Sequence, residues 1–248
     1  MTALIPDYAS AVGSSQGMAV HCRGVKKTYG DGTAKVTALR GIDLDVRTGE
    51  LMMLVGPSGC GKTTLISCIA GILDQDEGVC SVYGNDFKSM SQREKTKVRG
   101  KTIGFVFQAF NLLPTLTAAE NVAVPLLING IARGKAVARA RDLLARVGLG
   151  ERHMSLPKQL SGGQQQRVAI ARSLVHEPRL IVCDEPTSAL DHETGHKVME
   201  MLRSVAMGEG RTLIIVTHDA RIFEFADRIA KMDDGRVQQV LNSPSELQ

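Results

Sequence analysis

Gly56-Pro57-Ser58-Gly59-Cys60-Gly61-Lys62-Thr63 fits G-x-x-x-x-G-K-[ST] at every fixed position. Glycines at this spacing let backbone N–H groups turn inward around a β-phosphate, and the helix N-terminus that follows adds partial positive charge. Lys62 would bridge β- and γ-phosphates and the Thr63 hydroxyl would ligate Mg²⁺, with Thr64 beside it in the same binding set. The apolar run Leu180-Ile181-Val182-Cys183 ends in Asp184, followed at once by Glu185. Strand alternation gives the two carboxylates different tasks. Asp184 would belong to the Mg²⁺ shell, and Glu185 would face the water that attacks the γ-phosphorus, as general base or water-orienting group. The plain alternative is an acidic pair capping the next segment. Between these motifs stands Leu160-Ser161-Gly162-Gly163-Gln164. A Ser-Gly-Gly turn opening a helix is a second anion site with no phosphate of its own, which suggests a nucleotide shared between two chains. An ordinary serine N-cap is the simpler reading, and the two are compatible.

The elements that must position these groups are legible in outline. Residues 18–25 and 36–46 alternate or cluster as strands do, with Tyr29-Gly30-Asp31-Gly32 as a turn between them. Residues 51–55 form a short apolar strand ending at Gly56, and residues 63–72 a helix stopped near Gly71, the setting a phosphate loop requires. Residues 117–147 read as helix, broken at Pro125 and around residues 130–134. A helix over 164–175 follows the Ser161 cap, and 180–183 and 212–216 are further buried strands. Strands alternating with helices predict a mainly parallel sheet.

The 248 residues suffice for a full core. The net charge of +4, with 30 Lys and Arg spread along the chain, does not imply nucleic acid. The five cysteines show no Cys-x-x-Cys spacing and read as reduced thiols. No apolar run approaches the roughly 18 to 20 residues needed to cross a bilayer. Residues 1–17 read as a loose tail.

Taken together, the motifs resemble those of the nucleotide-binding subunits of the ATP-binding cassette (ABC) family, over about residues 20–240. Residues 160–164 match its signature, Gln108 its Q-loop, Ser188-Ala189-Leu190-Asp191 its D-loop, His218 its switch histidine and Tyr29 its adenine-stacking aromatic. The resemblance implies an α/β P-loop fold of ABC type: a mainly parallel core with an antiparallel β subdomain, over 18–107 and 177–248, and a helical subdomain over 108–176. It implies ATP and Mg²⁺ as cofactors, with Thr63, Gln108 and Asp184 toward the metal and Glu185, His218 and Gln108 toward hydrolysis. It implies a head-to-tail pair of two such chains, ATP lying between the phosphate loop of one and Ser161, Gly162, Gly163, Gln164 and Asp191 of the other. Membrane permease subunits would dock near residues 108–127, with an adaptor or extracytoplasmic protein as a further partner, at the cytoplasmic face of the inner membrane.

Residues 29–39 and 121–130 look like those of bacterial macrolide-export and lipoprotein-release ATPases. Ser188-Ala189 instead matches amino-acid importers, and a mechanical envelope ATPase that moves no solute is a further alternative. His192-Glu193-Thr194-Gly195-His196 fits the zinc pattern H-E-x-x-H, yet it opens a helix directly after the D-loop, carries a central glycine and lacks a third ligand, so no metal is assigned to it.

Overall fold

A computed structural model describes residues 17–207 and 210–247, so nearly all of the expected tail lies outside the described residues. Two sheets carry the fold. The smaller is antiparallel: β1 (Met18–Tyr29) pairs with β2 (Val36–Arg47) on one side and β4 (Glu77–Val82) on the other, and β4 carries the short β5 (Asn85–Asp86). β1 continues beyond residue 25 as far as Tyr29, so the turn is shorter than its composition suggests. Register shifts along the β1–β2 pair let the ribbon curl over the core.

The larger sheet has the order β10 (Arg236–Leu241), β9 (Arg228–Asp233), β3 (Leu51–Val55), β8 (Thr212–Val216), β7 (Leu180–Asp184), β6 (Ile103–Val106). Its inner members are β3, β8 and β7, and every residue of all three is buried. Strands covered on both faces must be apolar throughout, which is why they read as unbroken runs. β6 and β9 extend the parallel set, and β10 closes the far edge antiparallel to β9.

α1 (Lys62–Ile69) follows the phosphate loop and stops where Gly71 adopts φ +62°, with Ile72 N–H bonded back to the Ser67 carbonyl at 2.9 Å. α2 (Gln92–Thr102) begins in a Ser91–Glu94 capping box and leads into β6. α3 (Ala118–Ile128) runs through Pro125 without breaking, contrary to the sequence expectation. Pro125 costs one internal hydrogen bond, and burial of Val122, Ala123 and Leu126 around it offsets that loss. α4 (Arg133–Arg146) and α5 (Gly162–Leu174) complete a helical layer, and α6 (His192–Met207) packs beside α5.

Candidate active site

The strand order explains the convergence of motifs far apart in the chain. β3, β8, β7 and β6 are parallel neighbours, so their carboxyl ends lie in a row. The phosphate loop leaves β3, His218 lies just beyond β8, Asp184 ends β7 with Glu185 next to it, and Gln108 follows β6. Loops beyond strand carboxyl ends are the usual ligand sites of open α/β sheets. Ser58, Gly59, Gly61, Lys62, Thr63, Thr64, Gln108, Glu185 and His218 line one cleft of about 330 Å³ here.

The loop itself tolerates no side chain at two of its glycines. A Cβ at Gly56 would stand 2.0 Å from the Met232 carbonyl oxygen, and one at Gly61, at φ +99°, 2.5 Å from that of Ala38. Backbone packed this closely presents its own N–H groups to whatever fills the loop. Lys62 is buried, and its Nζ donates to the carbonyls of Gly56 and Pro57 at 2.8 Å each, with Cys60 Sγ at 3.6 Å. Pro57 thus contributes a carbonyl to the loop's interior, and Cys60 a buried thiol.

At the end of β7, the Thr63 hydroxyl donates to Asp184 Oδ1 at 3.3 Å. Burial pushes the Asp184 carboxyl above its ordinary range and Glu185 adds to this, while Thr63 and Lys62 oppose it. A divalent cation would relieve that burial cost, and the hydroxyl–carboxylate pair is a hard-oxygen donor set suited to Mg²⁺. Glu185 adopts φ +50°, with its N–H bonded to the Val216 carbonyl at 2.9 Å, so the carboxylate turns away from the strand direction. Its Oε1 meets His218 Nδ1 at 2.8 Å, whereas buried Oε2 has no partner among the described residues. An unsatisfied carboxylate oxygen beside a phosphate cradle is equipped to accept a proton from water.

Tyr29 ends β1 opposite Val36, is 41 % exposed, and brings its hydroxyl to 3.4 Å from Thr64 Oγ1. Its ring therefore flanks the start of α1. Ser161, Gly162, Gly163 and Gln164 do not join this cleft. Ser161 accepts from the Gln164 N–H at 3.3 Å, and Gln164 Oε1 accepts from the Ser161 N–H at 2.9 Å, a reciprocal cap at the opening of α5. Asp191 likewise caps α6, accepting from the Thr194 N–H at 3.0 Å. The two turns touch: a Cβ on Gly163 would lie 2.5 Å from Thr194 Cγ2. Of the zinc-like pair, His196 faces Glu200 and Glu224 and rests edge-on against Phe225.

Sequence reading missed a second concavity. An apolar groove of about 530 Å³ runs between Ile72, Phe105, Phe107, Pro125 and Ile128, with Arg99, Arg172 and His176 among its polar walls. It overlaps residues 108–127 only at Pro125. The Leu112 side chain from that stretch packs on the main core, and fully buried Asn121 binds the carbonyls of Leu113, Leu116 and Thr117. No local signal marks it, because Phe107 and Ile128, both exposed, reach the same groove from separate segments.

A phosphate loop closing on parallel strands, with a hydroxyl–carboxylate pair and a second carboxylate beside it, defines a P-loop nucleoside triphosphatase. The ABC transporter family profile matches residues 39–188. The chain is 43 % identical to an uncharacterized ABC transporter ATP-binding protein of Methanocaldococcus jannaschii, over 90 % of this chain and 99 % of that one. It is 43 % identical to the lipoprotein-releasing system ATP-binding protein LolD 2 of Caulobacter vibrioides, over 87 % and 95 %. It is 44 % identical to the macrolide export ATP-binding/permease protein MacB of Nitrosomonas europaea, over 88 % of this chain but 33 % of that longer one. Among solved structures, the dimeric post-hydrolysis state of the ATP-binding cassette MJ0796 bound to ADP and Pi superposes with a TM-score of 0.83, at 39 % identity over 90 % of this chain and 98 % of that one. This chain belongs to the ABC transporter family, as an ATP-hydrolysing, ATP-binding subunit.

Proposed function

We propose that the chain is the motor of an export or lipoprotein-release transporter, and that two copies enclose ATP head to tail. The placement of Ser161, Gly162 and Gly163 carries this reading. They form a second anion-binding turn that the cleft of their own chain does not use. The dimeric MJ0796 structures support pairing of two copies, and the LolD and MacB relatives support the export or lipoprotein-release class.

Within one copy, the loop amides and Lys62 bind and orient the phosphates, and Tyr29 stacks on the base. Thr63, Asp184 and Gln108 would hold Mg²⁺, whose positive charge would offset the negative charge of the phosphates. His218 fixes Oε1 of Glu185, which leaves Oε2 to take the proton of the attacking water. Gln164 and Asp191 hold the turns that face the partner copy.

The apolar groove would take a helix of a membrane permease, at the cytoplasmic face of the inner membrane. Ile128 is 72 % exposed at its wall, an unusual position for a large apolar side chain. Ile128→Asp should retain ATP hydrolysis and lose co-purification with a multi-span membrane protein. Undiminished co-purification, or stable ribosome or DNA association of the wild type, would sink the assignment. A second reading, an amino-acid importer subunit, is favoured by Ser188-Ala189. The Ser188 hydroxyl donates to the Glu185 carbonyl at 3.0 Å and so braces the catalytic turn.

A further inference from the structure

Directly after Gln108, the chain passes through two residues in left-handed backbone, Phe110 at φ +46° and Asn111 at φ +49°. Residues other than glycine rarely adopt this region without an outside hold, and a phenylalanine less readily than an asparagine. The hold is Arg172 of α5. Its guanidinium donates to the Phe110 carbonyl at 2.7 Å and to the Asn111 carbonyl at 2.5 Å. Burial disfavours the Arg172 charge, and the two carbonyls are its partners. The helix bearing it is pinned against β6, because a Cβ on Gly104 would stand 2.1 Å from the Ser173 carbonyl oxygen. The same side chain also lines the apolar groove with Phe107 and Ile128.

We propose that Arg172 is a positioning residue: through the carbonyls of Phe110 and Asn111 it fixes the path of the segment that carries Gln108, and it joins this segment to the groove wall. The proposal rests on the reading of Gln108 as the group that reaches metal or water. A loosened segment would leave the phosphate loop intact, so nucleotide binding would persist while the hydrolytic arrangement is populated less often.

The experiment is a double-mutant cycle in the full chain, measuring kcat and KM for Mg-ATP with Gln108→Ala, Arg172→Met and both together. Gln108→Ala and Arg172→Met should each lower kcat about tenfold and change KM less than about threefold. The double variant should fall no more than about twofold below the lower single, as expected for two residues acting as one unit. Arg172→Lys, whose ammonium can still reach a carbonyl, should recover part of the loss, and it carries the same cycle if Arg172→Met folds poorly. Wild-type kcat in the Arg172 variants, or losses that multiply fully with that of Gln108→Ala, would overturn the proposal. Wild-type kcat in Gln108→Ala would instead overturn the reading of Gln108 on which it stands.

Discussion

At the scale of single residues, groups a few ångströms apart carry separate tasks. Glu185 is the sharpest case, one oxygen held by His218 and the other without a partner among the described residues. Glu185→Gln preserves shape and the contact to His218 but cannot take a proton. It should bind ATP normally and lose turnover by at least about a hundredfold in steady-state assays. Turnover near wild type would remove Glu185 from the mechanism. Tyr29 offers a binding test with its own readout, because the chain contains no tryptophan. Tyr29→Trp should give a fluorescence change on ATP addition, and Tyr29→Ala should weaken ATP binding about three- to tenfold, as expected for one lost stacking contact. An unchanged indole signal in the tryptophan variant would place the base elsewhere.

At the scale of elements, the two signature glycines differ in a way sequence does not reveal. A methyl group on Gly163 collides with Thr194, whereas one on Gly162 meets Leu190 Cδ2 at an ordinary 3.7 Å. Gly163→Ala should therefore destabilise the α5–α6 packing by about 1–3 kcal/mol in thermal unfolding. Gly162→Ala should leave unfolding nearly unchanged, which makes position 162 the cleaner probe of the proposed shared site. Equal stability of the two would contradict the packing. His176, on the groove wall, is held below its ordinary pKa by burial and by Arg211, against the opposing pull of its bond to the Ile103 carbonyl. The unfolded chain then takes up a proton that the folded chain does not, so this residue removes stability as pH falls through about 6.5. Between pH 7.5 and 5.5 the wild type should lose more stability than His176→Gln, and identical pH profiles would show that His176 does not couple.

Much at this scale was legible beforehand. β3, β7 and β8 announce themselves as unbroken apolar runs, and the phosphate loop and the Ser161 cap as local turn chemistry. What stayed hidden depends on tertiary contact. Pro125 looks like a breaker until the packing around α3 is known, and the groove joins Ile72, Phe107 and Ile128 from three separate segments. Arg172 reads as one more polar position on α5 because its partners are backbone carbonyls some sixty residues away.

At the scale of the whole molecule, each chain would hold two halves of different sites: a phosphate cradle for its own nucleotide and a Ser161–Gly163 turn for its partner's. The most direct test mixes two inactive variants. Lys62→Ala abolishes the cradle and Gly162→Asp places a carboxylate where a γ-phosphate would sit, so each alone should hydrolyse little ATP. In an equal mixture, about half of the dimers would be mixed, and each of these would pair one intact cradle with one intact turn. If the sites are shared and independent, mixing should restore hydrolysis to about a quarter of wild type. No restoration, with mixed dimers shown to form, would mean that cradle and turn serve the same chain.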